Sequence, residues 1–403
     1  MNLTQDNVVG YFQPILSAET NDIYAYEVLG RYLDDDGKIK SLGPFFNNPD
    51  TSPEEALRVD RIIRRYAMKK YAEEKRDEYL FINIRLAWLL PFIDHPEEMI
   101  TLQLAKEFGI SPEKLVIEIT EEDYNSSEEY LHAIVYYKKA GCRIALDDYG
   151  KEASNIDRLA MLQPDIIKIN IDYIHNSEMS YHYREYLRAI AVFADSVGIE
   201  VLYEGVETER QLDICISSKG RFFQGFLLAT PQPSMRNPDV NTLVFSELIA
   251  TAYTAIQTKV ADVESLKNSF DVYVERFLKE NPFDEKKINN DEYLDKIFHE
   301  LPEVIRVYFC NRKGVQLSNN IEKQSDNIIV FHDFRNKNWA WRGYFHEIIK
   351  AFIRGRKSCL TNPYRDFTTK EKICTYCYAV NDDVFLLADI TKEPEKVNDH
   401  AAG

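Results

Sequence analysis

Short apolar runs alternate with long amphipathic segments over the first two hundred or so residues, and few folds accept that rhythm. The apolar runs fall at residues 10–16, 23–32, 80–84, 115–119, 143–149, 166–170, 200–206 and 222–228. Between most of them lie helical stretches such as EEALRVDRIIRRYAMKKYAEE, SSEEYLHAIVYYKKAG and SYHYREYLRAIAVFADSVG. Strands joined by amphipathic helices are parallel βαβ units. This series of strands predicts an α/β fold, a TIM-like (β/α)8 barrel, with a doubly wound sheet as the alternative. The first two runs are joined only by AETND, so they read as a hairpin and give the barrel an irregular first strand pair.

A barrel carries its chemistry at the carboxyl ends of its strands. Polar residues recur there: Asn83 in FINIR, Glu118 and Glu121 in IEITE, Asp147 and Asp148 in ALDDY, Lys168 in IIKIN, Glu204 and Glu207 in YEGVE, and Gln224 in FFQGF. Glu27 in YEVLGR joins them from the second run. Each alone reads as a surface acid or a turn residue; together they read as one convergent cluster. Adjacent acids such as Asp147 and Asp148 resist burial unless a cation or a donor network balances them. Carboxylates converging with one Asn and one Lys suit hard, oxygen-loving cations better than zinc. Two such ions about 3.5 to 4 Å apart, bridged by one Asp, are a common arrangement for in-line attack on a phosphodiester. Asp147 then reads as the bridge and Asp148 as a further ligand.

Composition narrows the partners. With 403 residues, 45% hydrophobic and 12% aromatic, the chain can bury a large core and is expected to form two domains. A net charge of −17 argues against unspecific binding to a nucleic-acid polymer or an anionic membrane surface, so a phosphate ligand needs a local device such as a metal. The start MNLTQDNVVG lacks a basic segment followed by an apolar one, and no apolar run approaches the roughly 18 residues of a membrane span. A cytoplasmic protein with reduced thiols is expected from six scattered cysteines. Cys374 and Cys377 form a lone CxxC inside a strand-like run, read as packed thiols rather than a zinc or redox pair. No Walker loop, dinucleotide fingerprint or HExxH is present.

These motifs, in this order, resemble the EAL-domain family, bacterial phosphodiesterases that linearise the second messenger cyclic di-GMP to pGpG. The family's Glu-Ala-Leu signature reads Glu27-Val28-Leu29 here, followed by Gly30-Arg31, and YFQPIL matches its Gln-Pro-Ile segment. The resemblance covers residues 10–233 and implies two Mg2+ or Mn2+ ions per barrel. Glu27, Asn83, Glu118 and Asp147 would hold one ion, and Asp147, Asp148 and Glu204 the other. Lys168 and Glu204 would position the attacking water. Gln13, Leu29, Arg31, Glu207 and Gln224 would contact guanine or phosphate, and Glu121 would steady the loop after Asp148. Two positions depart from the family pattern. The loop Phe-Gly-Thr-Gly-Tyr-Ser-Ser-Leu reads YGKEASNIDRL, with Lys151-Glu152 in place of Thr-Gly, and Asn170 replaces the Asp of the family's Lys-Ile-Asp. The implied activity is hydrolysis of cyclic di-GMP. The alternative is an inactive receptor that relays occupancy, with cleavage of another phosphodiester as a third reading.

The expected domains are a barrel at 1–235, a helical linker at 236–289, a sensor domain at 290–394 and a disordered tail at 395–403. Ile249, Tyr253, Ile256, Val260, Val263, Leu266, Phe270, Tyr273 and Phe277 recur every three or four residues. That stripe reads as a helix packed on its barrel or as a dimer or signalling helix, and a homodimer is expected. Beyond it, VIRVYFCNRKGVQLS, NIIVF, ICTYCYAV and DVFLLADI read as antiparallel strands. This α+β layout resembles the PAS- or Cache-like domain that accompanies the barrel in YkuI-type EAL proteins. In related sensor folds such a cluster can cradle a small carboxylate, so Trp339, Trp341, Arg342 and Tyr344 read either as that cradle, with Asp366 as a partner, or as core tryptophans with Arg342 as a structural hydrogen bonder.

Overall fold

The computed structural model describes residues 3–92, 94–120, 128–149, 156–236, 240, 242–324 and 327–391. It divides into two compact units, Met1–Tyr253 and Thr254–Gly403. No helix among the described residues is long and apolar enough to cross a membrane.

In the first unit β1 (Val8–Ser17) and β2 (Asp22–Leu33) pair antiparallel, from Val8 opposite Tyr32 to Ser17 opposite Asp22. The short β3 (Ile39–Ser41) pairs with the far end of β2 and leads to α1 (Gly43–Phe46) and α2 (Pro53–Glu74). Six strands then add in parallel order beside β2: β4 (Tyr79–Asn83), β5 (Leu115–Thr120), β6 (Arg143–Tyr149), β7 (Ile166–Ile169), β8 (Glu200–Tyr203) and β9 (Phe222–Phe223). β9 pairs antiparallel with β1, which closes an eight-stranded barrel with β1 as its antiparallel member. The crossovers carry α3 (Ile100–Phe108), α4 (Glu128–Ala140), α5 (Ile156–Leu162), α6 (Ile171–Met179), α7 (Tyr181–Val197) and α8 (Glu209–Ser217).

Local chemistry sets these elements. α2 starts at Ser52, whose hydroxyl accepts the Glu55 N–H, with Pro53 in its first turn. Its buried face runs through Ala56, Val59, Ile63, Ala67 and Tyr71 at helical spacing. β5, LVIEIT, is buried along all but its last residue, as a strand covered on both faces must be. The runs at 200–206 and 222–228 are shorter as strands than the apolar pattern suggests. The reason is a close crossing: a Cβ on Gly225 would lie 2.0 Å from the Val206 carbonyl oxygen. The backbone there exchanges bonds instead, Val206 N–H to Gln224 O and Leu227 N–H to Val206 O, both 3.0 Å.

The barrel interior is filled by one layer to which every strand contributes: Ile15, Ala25, Phe81, Val116, Ala145, Ile166, Leu202 and Phe222. Each is fully buried.

The second unit is an antiparallel sheet in the order β12-β11-β10-β16-β15-β13, with β14 also on β15. Its strands are β10 (Val304–Asn311), β11 (Asn320–Gln324), β12 (Asn327–Phe331), β13 (Ser358–Leu360), β14 (Tyr364–Arg365), β15 (Lys372–Ala379) and β16 (Val384–Ile390). Alternation divides their side chains between two faces. Val307, Phe309, Tyr376 and Leu386 face a core completed by Phe270, Val274 and Phe277 of α9 (Thr242–Glu280) and by α10 (Asp291–Glu300). Tyr308, Cys310, Phe385 and Leu387 face Phe345 and Ile348 of α11 (Gly343–Ile353). Cys374 and Cys377, three apart on β15, therefore point to opposite faces, and both are buried. The stripe of α9 is used at its two ends: Ile249 and Phe270 are buried, whereas Tyr253 and Val260 between them are exposed.

Candidate active site

The barrel's filling layer determines the next layer up. Side chains on one face of a strand recur every second residue. Two residues beyond each member of the apolar layer, toward the carboxyl ends of the parallel strands, stand Glu27, Asn83, Glu118, Asp147, Lys168, Glu204 and Gln224. β1 runs the other way, so its member is Gln13, two residues before Ile15. The paired registers Gln13 with Glu27 and Asn83 with Glu118 hold neighbours level. Eight strands thus present eight inward polar groups on an apolar floor.

Lys168 occupies the centre. Its side chain is 1% exposed, and its Nζ touches a Glu118 carboxylate oxygen and lies 3.1 Å from Glu204 Oε2, 3.2 Å from Asp147 Oδ1 and 3.4 Å from Glu27 Oε2. Four carboxylates share one ammonium. Around them Asn83 Nδ2 donates to Glu27 Oε1 at 3.2 Å, and Gln224 Nε2 donates to Glu27 Oε2 at 2.8 Å and Gln13 Oε1 at 3.3 Å. Gln13 in turn donates to the Ala229 carbonyl at 3.2 Å.

The charge imbalance shows in the protonation equilibria. Burial, reinforced by Glu204, Glu27 and Asp148, pushes the Asp147 carboxyl well above the ordinary range. Burial also raises Glu204, with Lys168 opposing it. Burial alone would lower Lys168, but Glu204 and Glu27 outweigh it, and the ammonium titrates above its usual value. In the metal-free protein the raised acids hold protons that the unfolded chain has already lost, so stability falls as pH rises through their folded values. A cation bound here must displace those protons, so its affinity is expected to rise with pH above the ordinary carboxylate range. Calorimetric titration of Mn2+ in buffers of different ionisation enthalpy measures the released protons; a pH-independent affinity with no release would contradict this.

The residues fit a divalent cation. Among the described residues Glu118 Oε2 is buried without a hydrogen-bond partner, and one ligand atom each from Asp147, Asp148 and Glu204 lie within 4.8 Å of one another. An unpaired buried carboxylate oxygen is costly and is what a cation relieves.

Asp148 is aimed by a residue whose role the sequence did not reveal. Its backbone takes φ of +55°, which turns the chain at the strand end, and its N–H donates to Asp147 Oδ1 at 2.8 Å. Asn170 Nδ2 donates to Asp148 Oδ1 at 2.6 Å while Asn170 Oδ1 accepts the Asp172 N–H at 2.8 Å and caps α6. An Asp at 170 offers no such donor, so the departure from the family motif has a local function here. Asn170→Ala is expected to weaken cation binding about 10- to 100-fold, the range for groups that orient ligands. Calorimetry with Mn2+ checks it; wild-type affinity would contradict it.

A cavity of about 270 Å³ opens beside the cluster, lined by Leu29, Arg31, Asn83, Arg85, Trp88 and Glu118 among others. Burial pulls the half-buried Arg31 guanidinium below its ordinary value, and its Nη1 donates to the Gly30 carbonyl at 2.9 Å. Glu207 is exposed, and its backbone N–H bonds to Gln211, the residue that completes the capping box of α8. Glu121 and the residues 151–155 of the rewritten loop lie outside the described residues, as does the 395–403 tail.

In the second unit Trp339 Nε1 donates to Gln316 Oε1 at 2.9 Å, Tyr344 is buried, and Trp341 is 64% exposed. Asp366 is engaged by Arg306 Nη1 at 2.7 Å.

Comparison with known proteins places this geometry. The EAL domain profile matches residues 1–231, and that of an EAL-domain associated signalling protein domain matches residues 246–394. The EAL-domain containing protein YkuI of Bacillus subtilis (strain 168) is 34% identical over 394 residues, covering 96% of this chain and 94% of its own. The crystal structure of Bacillus subtilis YkuI in complex with substrate c-di-GMP and calcium matches with a TM-score of 0.87 at 33% identity, over 97% of this chain and 98% of that one. A probable cyclic di-GMP phosphodiesterase of Escherichia coli (strain K12), PdeA, is 34% identical over 133 residues, 33% of this chain and 18% of that protein. An acid-lined barrel, a matching domain profile over more than half the chain and a relative aligned along nearly all of it lead to one assignment: the chain belongs to the EAL-domain family and carries that family's associated C-terminal signalling domain.

Proposed function

We propose that the barrel hydrolyses cyclic di-GMP to linear pGpG with the help of two Mg2+ or Mn2+ ions. The observation that carries this reading is the gathering of four carboxylates on a single ammonium, with Glu118 Oε2 left unpaired, at the mouth of a closed barrel. The YkuI structure, bound to c-di-GMP and calcium, supports it. Glu27, Asn83, Glu118 and Asp147 would hold one ion, and Asp147, Asp148 and Glu204 the other. When bound, the ions would supply Lewis-acid charge at the phosphate and acidify the attacking water.

The chain's own groups do the positioning. Lys168, held charged by its acids, serves as a donor and not as a base; with Glu204 it orients the water in line with the leaving O3′. The water's oxygen bonds to phosphorus as the P–O3′ bond breaks; one of the water's two protons ends on O3′, and the other leaves the new terminal phosphate for solvent. Arg31 supports the phosphate from the adjoining cavity, and Gln13, Leu29, Glu207 and Gln224 contact the ligand. The second unit, an antiparallel sheet with a helix on its pocket-bearing face, reads as a PAS- or Cache-like sensor. The exposed Tyr253 and Val260 of α9 support self-association as a homodimer.

Glu27→Gln tests this assignment. Turnover in Mg2+ or Mn2+ is expected to fall at least about 100-fold while the ligand still binds by calorimetry, since the site keeps its shape. Undiminished turnover would place the chemistry elsewhere.

A further inference from the structure

The second unit holds a partly open cavity of about 80 Å³, walled by Tyr308, Gln316, Arg342, Tyr344, Asp366 and Phe367 among others. It has about half the volume of an apolar cavity that admits benzene, roughly 150 Å³.

Two guanidinium groups reach it, in opposite states. Arg306 is committed to carboxylates: Nε donates to Glu322 at 2.9 Å, and Nη1 to Asp366 at 2.7 Å and Asp389 at 2.9 Å. Those acids are engaged elsewhere as well, Asp366 Oδ1 by the N–H groups of Thr368 and Thr369 and Asp389 Oδ1 by Thr375 Oγ1. They offer little to a cationic ligand. Arg342 is the reverse. Its carbon Cζ lies 3.9 Å from the centroid of Phe367 and 5.3 to 5.6 Å from those of Tyr364, Trp341 and Tyr344. Among the described residues its guanidinium has one hydrogen bond, from Nη2 to the Arg365 carbonyl at 3.4 Å, longer than an ordinary N–H···O bond, and pairs with no carboxylate.

Aromatic rings engage the faces of a guanidinium and leave its N–H edges for in-plane acceptors. A planar, two-oxygen anion matches such an edge. The rings also form an apolar wall, and Trp341 and Phe367 are held stacked at 5.7 Å although 64% and 59% exposed.

We propose that this cavity binds a small carboxylate of about three to six non-hydrogen atoms, its two oxygens on the Arg342 edge and its carbon end against the tyrosine and phenylalanine rings. Simple carboxylic acids and small α-amino acids share this chemistry.

The experiment is calorimetric titration of the full chain with acetate, propionate, glycine and alanine in turn, with methylammonium as the cationic control. At least one acid is expected to bind saturably, one per chain. Arg342→Met should weaken it at least about 10-fold, and Arg342→Lys, which keeps the charge but loses the planar fork, should also weaken it. Phe367→Ala, at an exposed position, gives a second variant if Arg342→Met fails to fold, and should weaken binding as well. Binding of the simple acids alone or of the amino acids alone supports the site and tells the two sources apart. No saturation by any of the four acids, binding of methylammonium instead, or an affinity unchanged in the folded variants would overturn it. The outcome is independent of the barrel's activity.

Discussion

Asp147→Asn is expected to lower turnover of cyclic di-GMP by at least about 10³-fold, beyond the 10- to 100-fold typical of groups that only orient a metal ligand. In the proposed arrangement Asp147 serves both ions, so its replacement weakens both at once. The same change should act oppositely on the metal-free fold. It removes one of four carboxylates competing for Lys168, and the one that burial and its neighbours push well up. The metal-free thermal midpoint is therefore expected to rise by about 2–4 °C, the shift that roughly 1 kcal/mol produces in a unit of this size. Thermal denaturation in chelator, beside a turnover assay, reads both signs. A variant that lost activity and metal-free stability together would point to collapse of the barrel rather than loss of a ligand.

Arg306→Met is expected to destabilise the second unit by about 3–5 kcal/mol, the cost of leaving buried charges without their partner. Glu322, Asp366 and Asp389 would keep their burial and lose the cation at 2.7 to 2.9 Å from each. Urea denaturation followed by tyrosine and tryptophan fluorescence measures it, and a loss under about 1 kcal/mol would show that water reaches the acids. The pH dependence has a definite sign. Burial alone would raise Asp366, but its bonds to Arg306 and to the Thr368 and Thr369 N–H groups outweigh it and hold it below the ordinary value. Its stabilisation is therefore present above the unfolded carboxyl range and is lost as pH falls through the depressed folded value.

The arrangement of the barrel was legible because its rule is local. Apolar and polar residues two apart at the ends of successive strands, as in Val116 and Glu118 or Ile166 and Lys168, mark one inward face whatever the intervening helices do. The hairpin of β1 and β2 was legible from the shortness of AETND for the same reason. What the sequence hid depends on contacts between distant segments. β9 stops at Phe223 because Gly225 crosses Val206, a contact that no apolar pattern records. Asn170 looked like a lost charge, and its bond to Asp148 exists only because β6 and β7 are neighbours. Arg306 resembled any strand arginine; its partners lie 16, 60 and 83 residues away. Asp366, read as a partner for a ligand, is also bonded by that arginine, which the sequence did not show. β11, NIEKQ, is too short and polar to read as a strand, and only its pairing with β10 and β12 defines it.

The central claim is that the barrel cleaves its ligand and does not merely hold it. Incubation of the full chain with cyclic di-GMP and Mg2+ or Mn2+, followed by chromatography of the nucleotide, tests it most directly. The expected result is conversion to pGpG that stops in chelator. Tight binding of cyclic di-GMP with the nucleotide recovered intact under both metals would contradict the account and make the barrel a receptor.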